Sequence, residues 1–431
     1  MLQKFPLHPT NMMLFAILVL VAGGIRLHAA DSGTTLTLRG ALDLAAVRQP
    51  ALLAQDQQAR AAAALVDQAG LRPNPTLDLS LENFAGTGAV RGTRGLEATV
   101  QASQTIERGG KRDKRMALAA SDRKAADQAL AVRRNEVLAA TAAAYLETLA
   151  AQQRLVLAAE PRRLALETLG AAEERVQAGI ASAAEVARAR AGLATAEVEF
   201  ARAEAALQSA RARLAARWGG TAAEVAALPG RLRLPAVLPD REALLANLND
   251  HPRLALQQDA IASQRAGLEL AQAEAVPDVT LGGGLRFLRE GSDAAIVAGL
   301  SVPLPVRHRN QGSIRAARAL LAGAELDERA TELGLRAEFS AAWQDLTIAQ
   351  RTATHLRAQA LPALEDARAA VQHAYAQGQL PLIDVLDAQR ALAALRREIL
   401  DAETAGVLAF ARLAALTDPT FGTVTALIDP S

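Results

Sequence analysis

The stretch 186-VARARAGLATAEVEFARAEAALQSARARL-214 carries a larger apolar residue at every seventh position: Val186, Leu193, Phe200, Leu207 and Leu214. Ala189, Ala196, Ala203 and Ala210 hold the second position of the same seam. A strict seven-residue period requires a left-handed coiled coil, and alanine on one seam position brings the two helices close. The same phase returns in Val385, Leu392, Ile399 and Leu413, interrupted by Gly406, and in Ala388, Leu395, Ala402, Ala409 and Leu416. The helix before the first seam, residues 111–178, presents Leu138, Ala142, Tyr145, Leu149 and Val156 to it, with a kink expected at Pro161. At 1.5 Å per residue such a helix is about 100 Å long.

Ahead of each coiled coil the period changes from seven to two. Leu77, Leu79 and Leu81 alternate with Asp78, Ser80 and Glu82; after a Gly-rich loop, Leu96, Ala98, Val100 and Ala102 alternate with Glu97, Thr99, Gln101 and Ser103. Further on, Val279, Leu281, Leu285 and Phe287 interleave with Thr280, Gly282, Gly284 and Arg286, and Ile296, Ala298, Leu300 and Val302 form the partner strand. Each pair reads as a hairpin with one oily and one wet face. Strands of this length suit a tilted transmembrane β-strand of about 9 to 11 residues. A soluble four-stranded sheet packed on helices is the alternative.

The chain repeats itself. Pro50-Ala51-Leu52, followed by a helix and Pro75, returns as Pro252-Arg253-Leu254 followed by a helix and Pro277; Pro161 matches Pro362, and Gly179 matches Gly378. Two copies result. The first covers 36–218, with a hairpin at 76–105 and long helices at 111–217. The second covers 240–416, with a hairpin at 278–304 and long helices at 312–416. A linker (219–239) joins them, and 417–431 forms a tail. At the N-terminus, Lys4 and His8 precede an apolar run from Met12 to Val21 and the small residues Ala29-Ala30, the order of a signal peptide over 1–30.

Composition narrows the function. Among 431 residues roughly a quarter are Ala, only 3% are aromatic, none is Cys, and 47 Lys+Arg stand against 46 Asp+Glu. Such a chain favours thin helix pairs over large globular cores. Near-neutral charge argues against nucleic acid as a partner. The histidines at 8, 28, 251, 308, 355 and 373 lack the paired spacing of a metal site, and no catalytic triad, HExxH or phosphate loop is present, so neither an enzyme nor a cofactor is expected. The Gly282-Gly283-Gly284 run has no helix after it and reads as small residues on a wall.

The leader, the duplicated unit, one hairpin per copy and the heptads together resemble the TolC-type outer-membrane efflux proteins. Local marks are Ser103-Gln104-Thr105-Ile106-Glu107-Arg108-Gly109-Gly110-Lys111-Arg112, Val302-Pro303-Leu304-Pro305, Arg309-Asn310-Gln311-Gly312, Tyr375-Ala376-Gln377-Gly378 and Ile383-Asp384-Val385-Leu386-Asp387-Ala388-Gln389. The Gly-Gly-Lys-Arg and Arg-Asn-Gln-Gly forms look most like the cobalt-zinc-cadmium, heavy-metal branch. The resemblance implies a mainly α fold with a small β part. It also implies a homotrimer in which four strands per chain build one twelve-stranded outer-membrane barrel, continued through the periplasm by an α-barrel. The implied role is the passive channel of a tripartite efflux system with a periplasmic adaptor (membrane-fusion) protein and an inner-membrane RND-type pump, set in outer-membrane lipid. A channel for drugs or type I secretion, or a periplasmic scaffold without a pore, are the alternatives.

By the same resemblance, Asp384 and Asp387 fall on an acidic ring at the periplasmic tip, Tyr375 on a gating tyrosine, Glu185 on the acidic position of the first copy, and Gly179 and Gly378 in the tip turns. Simple helix capping is the alternative for the two aspartates. Leu380 stands where some members place a latching arginine. Lys111 and Arg112, with Arg307 and Arg309 in the second copy, form an expected basic collar against phospholipid headgroups.

Overall fold

The computed structural model describes residues 36–418 and 421–429. The expected signal peptide lies outside them. Helices α1 (Leu38–Arg48) and α2 (Pro50–Ala69) break at Gln49 because Pro50 fits the first position of a new helix, where no backbone N–H is needed. Strands β1 (Thr76–Glu82) and β2 (Glu97–Ile106) follow, then the long helices α3 (Lys111–Gln177) and α4 (Ala183–Ala215). After β3 (Arg231–Leu232) and α5 (Arg241–Ala246), the order recurs as α6 (Pro252–Ala273), β4 (Val279–Leu288), β5 (Asp293–Ser301), α7 (Gln311–His355), α8 (Leu361–Ala376) and α9 (Leu382–Thr417), with β6 (Ile428–Asp429) at the end. The fold is mainly helical with a small antiparallel sheet. No described helix is long and apolar enough to cross a membrane.

The two hairpins form one sheet in the order β1-β2-β4-β5, joined where β2 pairs antiparallel with β4. The register puts Leu79 opposite Val100, Val100 opposite Leu285 and Leu285 opposite Ile296, so the apolar residues of all four strands share one face. That face is bare: Leu77 is 75% exposed and Ile296 85%. On the wet face Arg286 ties the hairpins together, its Nε donating to Thr99 Oγ1 at 3.0 Å and its guanidinium to Glu97 at 3.1 Å. Beside it the Gln101 amide lies in the space that side chains at Gly282 and Gly284 would fill, which accounts for the glycine run.

The heptad seams are buried where expected, with Leu207, Leu214, Val385, Leu392, Ile399 and Leu413 in the interior. Val156 is a correction, being 68% exposed. Just before it, Gln152 is fixed to the linker by bonds to the carbonyl and amide of Leu228 (2.9 and 3.0 Å), and Leu155 turns inward instead. The helix also runs through Pro161 unbroken. In the second half the break is real: a π-turn at Leu356–Ala360 precedes Pro362, and the wider turn takes up the clash of the ring with the carbonyl four residues back.

The main core lies where the linker wraps the helices. Tyr145, Leu146, Leu149, Leu214 and Trp218 pack there with Leu228, Leu232, Phe421, Val424 and Leu427, and β3 pairs with β6 across it. Gly406, the gap in the heptad, gives way to this segment: a Cβ there would stand 2.4 Å from Leu234 Cδ2 and 3.1 Å from Ala349 Cβ.

His251 caps α6, its Nδ1 accepting from the Arg253 amide at 3.1 Å, and it is only 5% exposed. Burial, aided by Arg253, pushes its pKa down to about 4. The neutral ring is thus favoured over the unfolded value of about 6.5. This stability is complete above pH 6.5 and is lost as pH falls from there toward 4, a difference on the order of 3 kcal/mol per chain. His251→Asn keeps a capping side chain and should flatten the pH dependence of the denaturant midpoint between pH 4 and 6.5. An unchanged slope would assign it to other groups.

Candidate functional site

The turns that end α3 and α8 are built alike. In the first, Gly179 has φ +73°, its amide bonds to the Val176 carbonyl at 3.0 Å, and Ile180 N reaches Arg175 O at 2.9 Å. In the second, Gly378 has φ +75°, its amide bonds to Tyr375 O at 2.9 Å, and Gln379 N reaches Ala374 O at 2.9 Å. Both are Schellman closures, which need a left-handed residue and so select glycine. Each turn releases the chain into a helix with an acid in its first turn, Glu185 in α4 and Asp384 in α9.

A small apolar cluster, Ala172, Ala189, Leu382, Val385 and Leu386, holds the two turns side by side. Against it Tyr375 meets Arg175, whose Cζ lies 4.8 Å from the ring centroid. Arg175 Nε, Tyr375 Oη and Glu185 Oε2 are all buried without a hydrogen-bond partner. Burial pushes the Tyr375 hydroxyl up; Arg175 opposes this and Glu185 adds to it. Unpaired buried polar atoms cost on the order of 1–3 kcal/mol each. Three together mark a tip that a small rearrangement would re-pair.

The expected residues therefore divide. Tyr375 and Glu185 come together with Arg175, which the sequence reading passed over. The signal was the offset of 199 that relates Val176 to Tyr375, which sets Arg175 beside the tyrosine's counterpart in the first turn. Asp384 and Asp387 stand apart from this cluster. Asp387 pairs with Arg390 at 3.2 Å, both well exposed, whereas Asp384 is half-buried, with no ion pair among the described residues. No group of three His, Asp or Glu among the described residues is placed to hold a metal ion.

The basic residues divide too. Lys111 Nζ pairs with Asp278 at 2.8 Å and Arg112 Nε donates to Gly70 O at 2.7 Å, both at the junction of sheet and helices. Burial works to raise the Asp278 carboxyl, but Lys111 and the Arg108 amide outweigh it and hold it below the ordinary range. Arg307 and Arg309 are exposed, Arg309 Nε reaching Pro305 O at 3.1 Å.

Comparison with known proteins bears on this arrangement. Residues 41–220 and 245–418 match the family model described as outer membrane efflux protein. The cobalt-zinc-cadmium resistance protein CzcC of Cupriavidus metallidurans is 32% identical over 84% of this chain and 85% of its own. The nickel and cobalt resistance protein CnrC of the same organism is 30% identical over 64% of this chain and 66% of its own. Among solved structures, the Campylobacter jejuni CmeC outer membrane channel superposes with a TM-score of 0.74 at 16% identity, covering 91% of this chain and 90% of that one.

Proposed function

Because this chain belongs to the outer membrane efflux protein family, and so is an outer-membrane protein reaching into the periplasm, we propose that it forms the passive exit channel of a tripartite pump for heavy-metal cations. The observation that carries the channel reading is the four-stranded sheet. It has one continuous apolar face exposed, and β1 and β5 are each paired on one side only. Four strands cannot close. Three copies would join these edges into a twelve-stranded barrel, with the apolar face toward lipid and Arg286 and Gln101 toward the lumen. The two halves, 36–218 and 240–416, would each supply one hairpin and one coiled coil to the wall. A periplasmic adaptor and an inner-membrane RND-type pump would complete the system, and Arg307 and Arg309 would face phospholipid headgroups.

The substrate assignment rests on the kinship with CzcC and CnrC. In the proposed mechanism no covalent chemistry occurs at the tip. The Arg175–Tyr375–Glu185 cluster holds the two coiled coils together, and the ring of Asp384 carboxylates attracts cations once it opens. Deleting the gene should sensitise cells to some of zinc, cobalt, cadmium, nickel, copper and silver, and the wild-type chain should restore growth. Asp384→Asn should lower cation selectivity in planar bilayers more than Asp387→Asn, whose charge Arg390 already offsets. Sensitivity to drugs alone would overturn the metal assignment.

A further inference from the structure

Above the tip cluster the contact between the two coiled coils opens into a cavity of about 450 Å³. Its walls are apolar, with Leu157, Pro161 and Leu164 of α3 facing Leu386 and Leu392 of α9, and Gly192 of α4 leaves part of the space free. The volume is that of a small-molecule site, not of the gaps left by ordinary packing.

The rim is basic. Arg154 pairs with Asp401, Arg202 with Glu199 and Arg390 with Asp387, and Arg396 holds both Glu160 (2.5 Å) and Glu365 (2.8 Å). Two guanidinium groups are left over. Arg368 stands 4.0 Å from the Glu160 that Arg396 already holds, and its Nε is buried with no partner. Arg397 has no ion pair among the described residues. Six arginines thus line the cavity against two glutamates, and the unused donors sit beside an oily slot.

We propose that this cavity is a binding site for a monoanionic amphiphile, its apolar body between the coils and its acidic head on Arg368 and Arg397. A carboxylate or sulfonate head would satisfy the orphan Nε and neutralise the excess charge. The proposal needs no conducting channel, so it stands or falls separately from the metal-efflux reading.

The test uses the purified full chain in lipid nanodiscs, titrated with 8-anilinonaphthalene-1-sulfonate against empty nanodiscs. Saturable binding of one molecule per chain is expected, displaced by octanesulfonate and not by octyltrimethylammonium. Arg368→Gln with Arg397→Gln should weaken it about tenfold, the loss of one charge-assisted contact. Gly192→Phe, which fills the slot, should abolish it. Absence of saturable binding, equal binding by the double Gln variant, or equal displacement by the cationic amphiphile would overturn the proposal.

Discussion

Arg175→Ala should leave the channel leaking, with an open probability in planar bilayers about tenfold higher than wild type. The contact it removes is a cation over the Tyr375 ring at 4.8 Å, inside a partly buried tip. Such contacts are worth up to about 2 kcal/mol when desolvated, and 1.4 kcal/mol is a factor of ten in an equilibrium. Tyr375→Phe should behave in the opposite sense. It keeps the ring under Arg175 and removes a hydroxyl that has no partner, so the tip should stay closed or close more firmly. If Tyr375→Phe opened the channel as widely as Arg175→Ala, the hydroxyl would be the latch and the cation–π assignment would fall. Arg175 would then also fail as the answer to Leu380, which leaves the second turn without an arginine of its own.

Gly406→Leu is expected to destabilise the chain by about 3 kcal/mol, because the added side chain must displace Leu234 and press on Ala349 in a filled interior. Gly406→Ala should be close to neutral. The flexible end of Leu234 can turn aside from a single methyl, and alanine restores about 1 kcal/mol of helix propensity. Denaturant midpoints of the two variants separate these outcomes. Equal, small effects would mean that the linker is not seated against α9 as described.

Much of the fold was legible because its signals are local and periodic. The heptads from Val186 and Val385 fixed which faces of α4 and α9 are buried, and the alternation at Leu77, Val100, Leu285 and Ile296 fixed which sheet face is apolar. Where a distant segment intervenes, periodicity misleads. Val156 obeys the seam spacing, yet Gln152 is held by Leu228, some 75 residues away, and the helix face turns accordingly. Gly406 looked like a flaw in the second heptad and proves to be the seat of Leu234. Pro161 and Pro362 occupy matching places, but only the second is preceded by a π-turn, a difference no local rule announces.

The candidate site shows the same division. Gly179, Gly378, Glu185 and Tyr375 were marked by their places around two similar turns, and the arginine that faces Tyr375 was not. Pairing across the two halves depends on how the turns are set side by side by Leu382, Val385 and Leu386, and that is a property of packing. By itself the sequence determined the helices, the strands, their apolar faces and the twofold recurrence of the pattern, since each rests on interactions among residues close along the chain. Only the tertiary structure decided that β2 pairs with β4, that Leu234 fills Gly406, and that Arg175, Tyr375 and Glu185 share one under-satisfied cluster, because these contacts join segments tens to hundreds of residues apart whose meeting is set by the whole packed core.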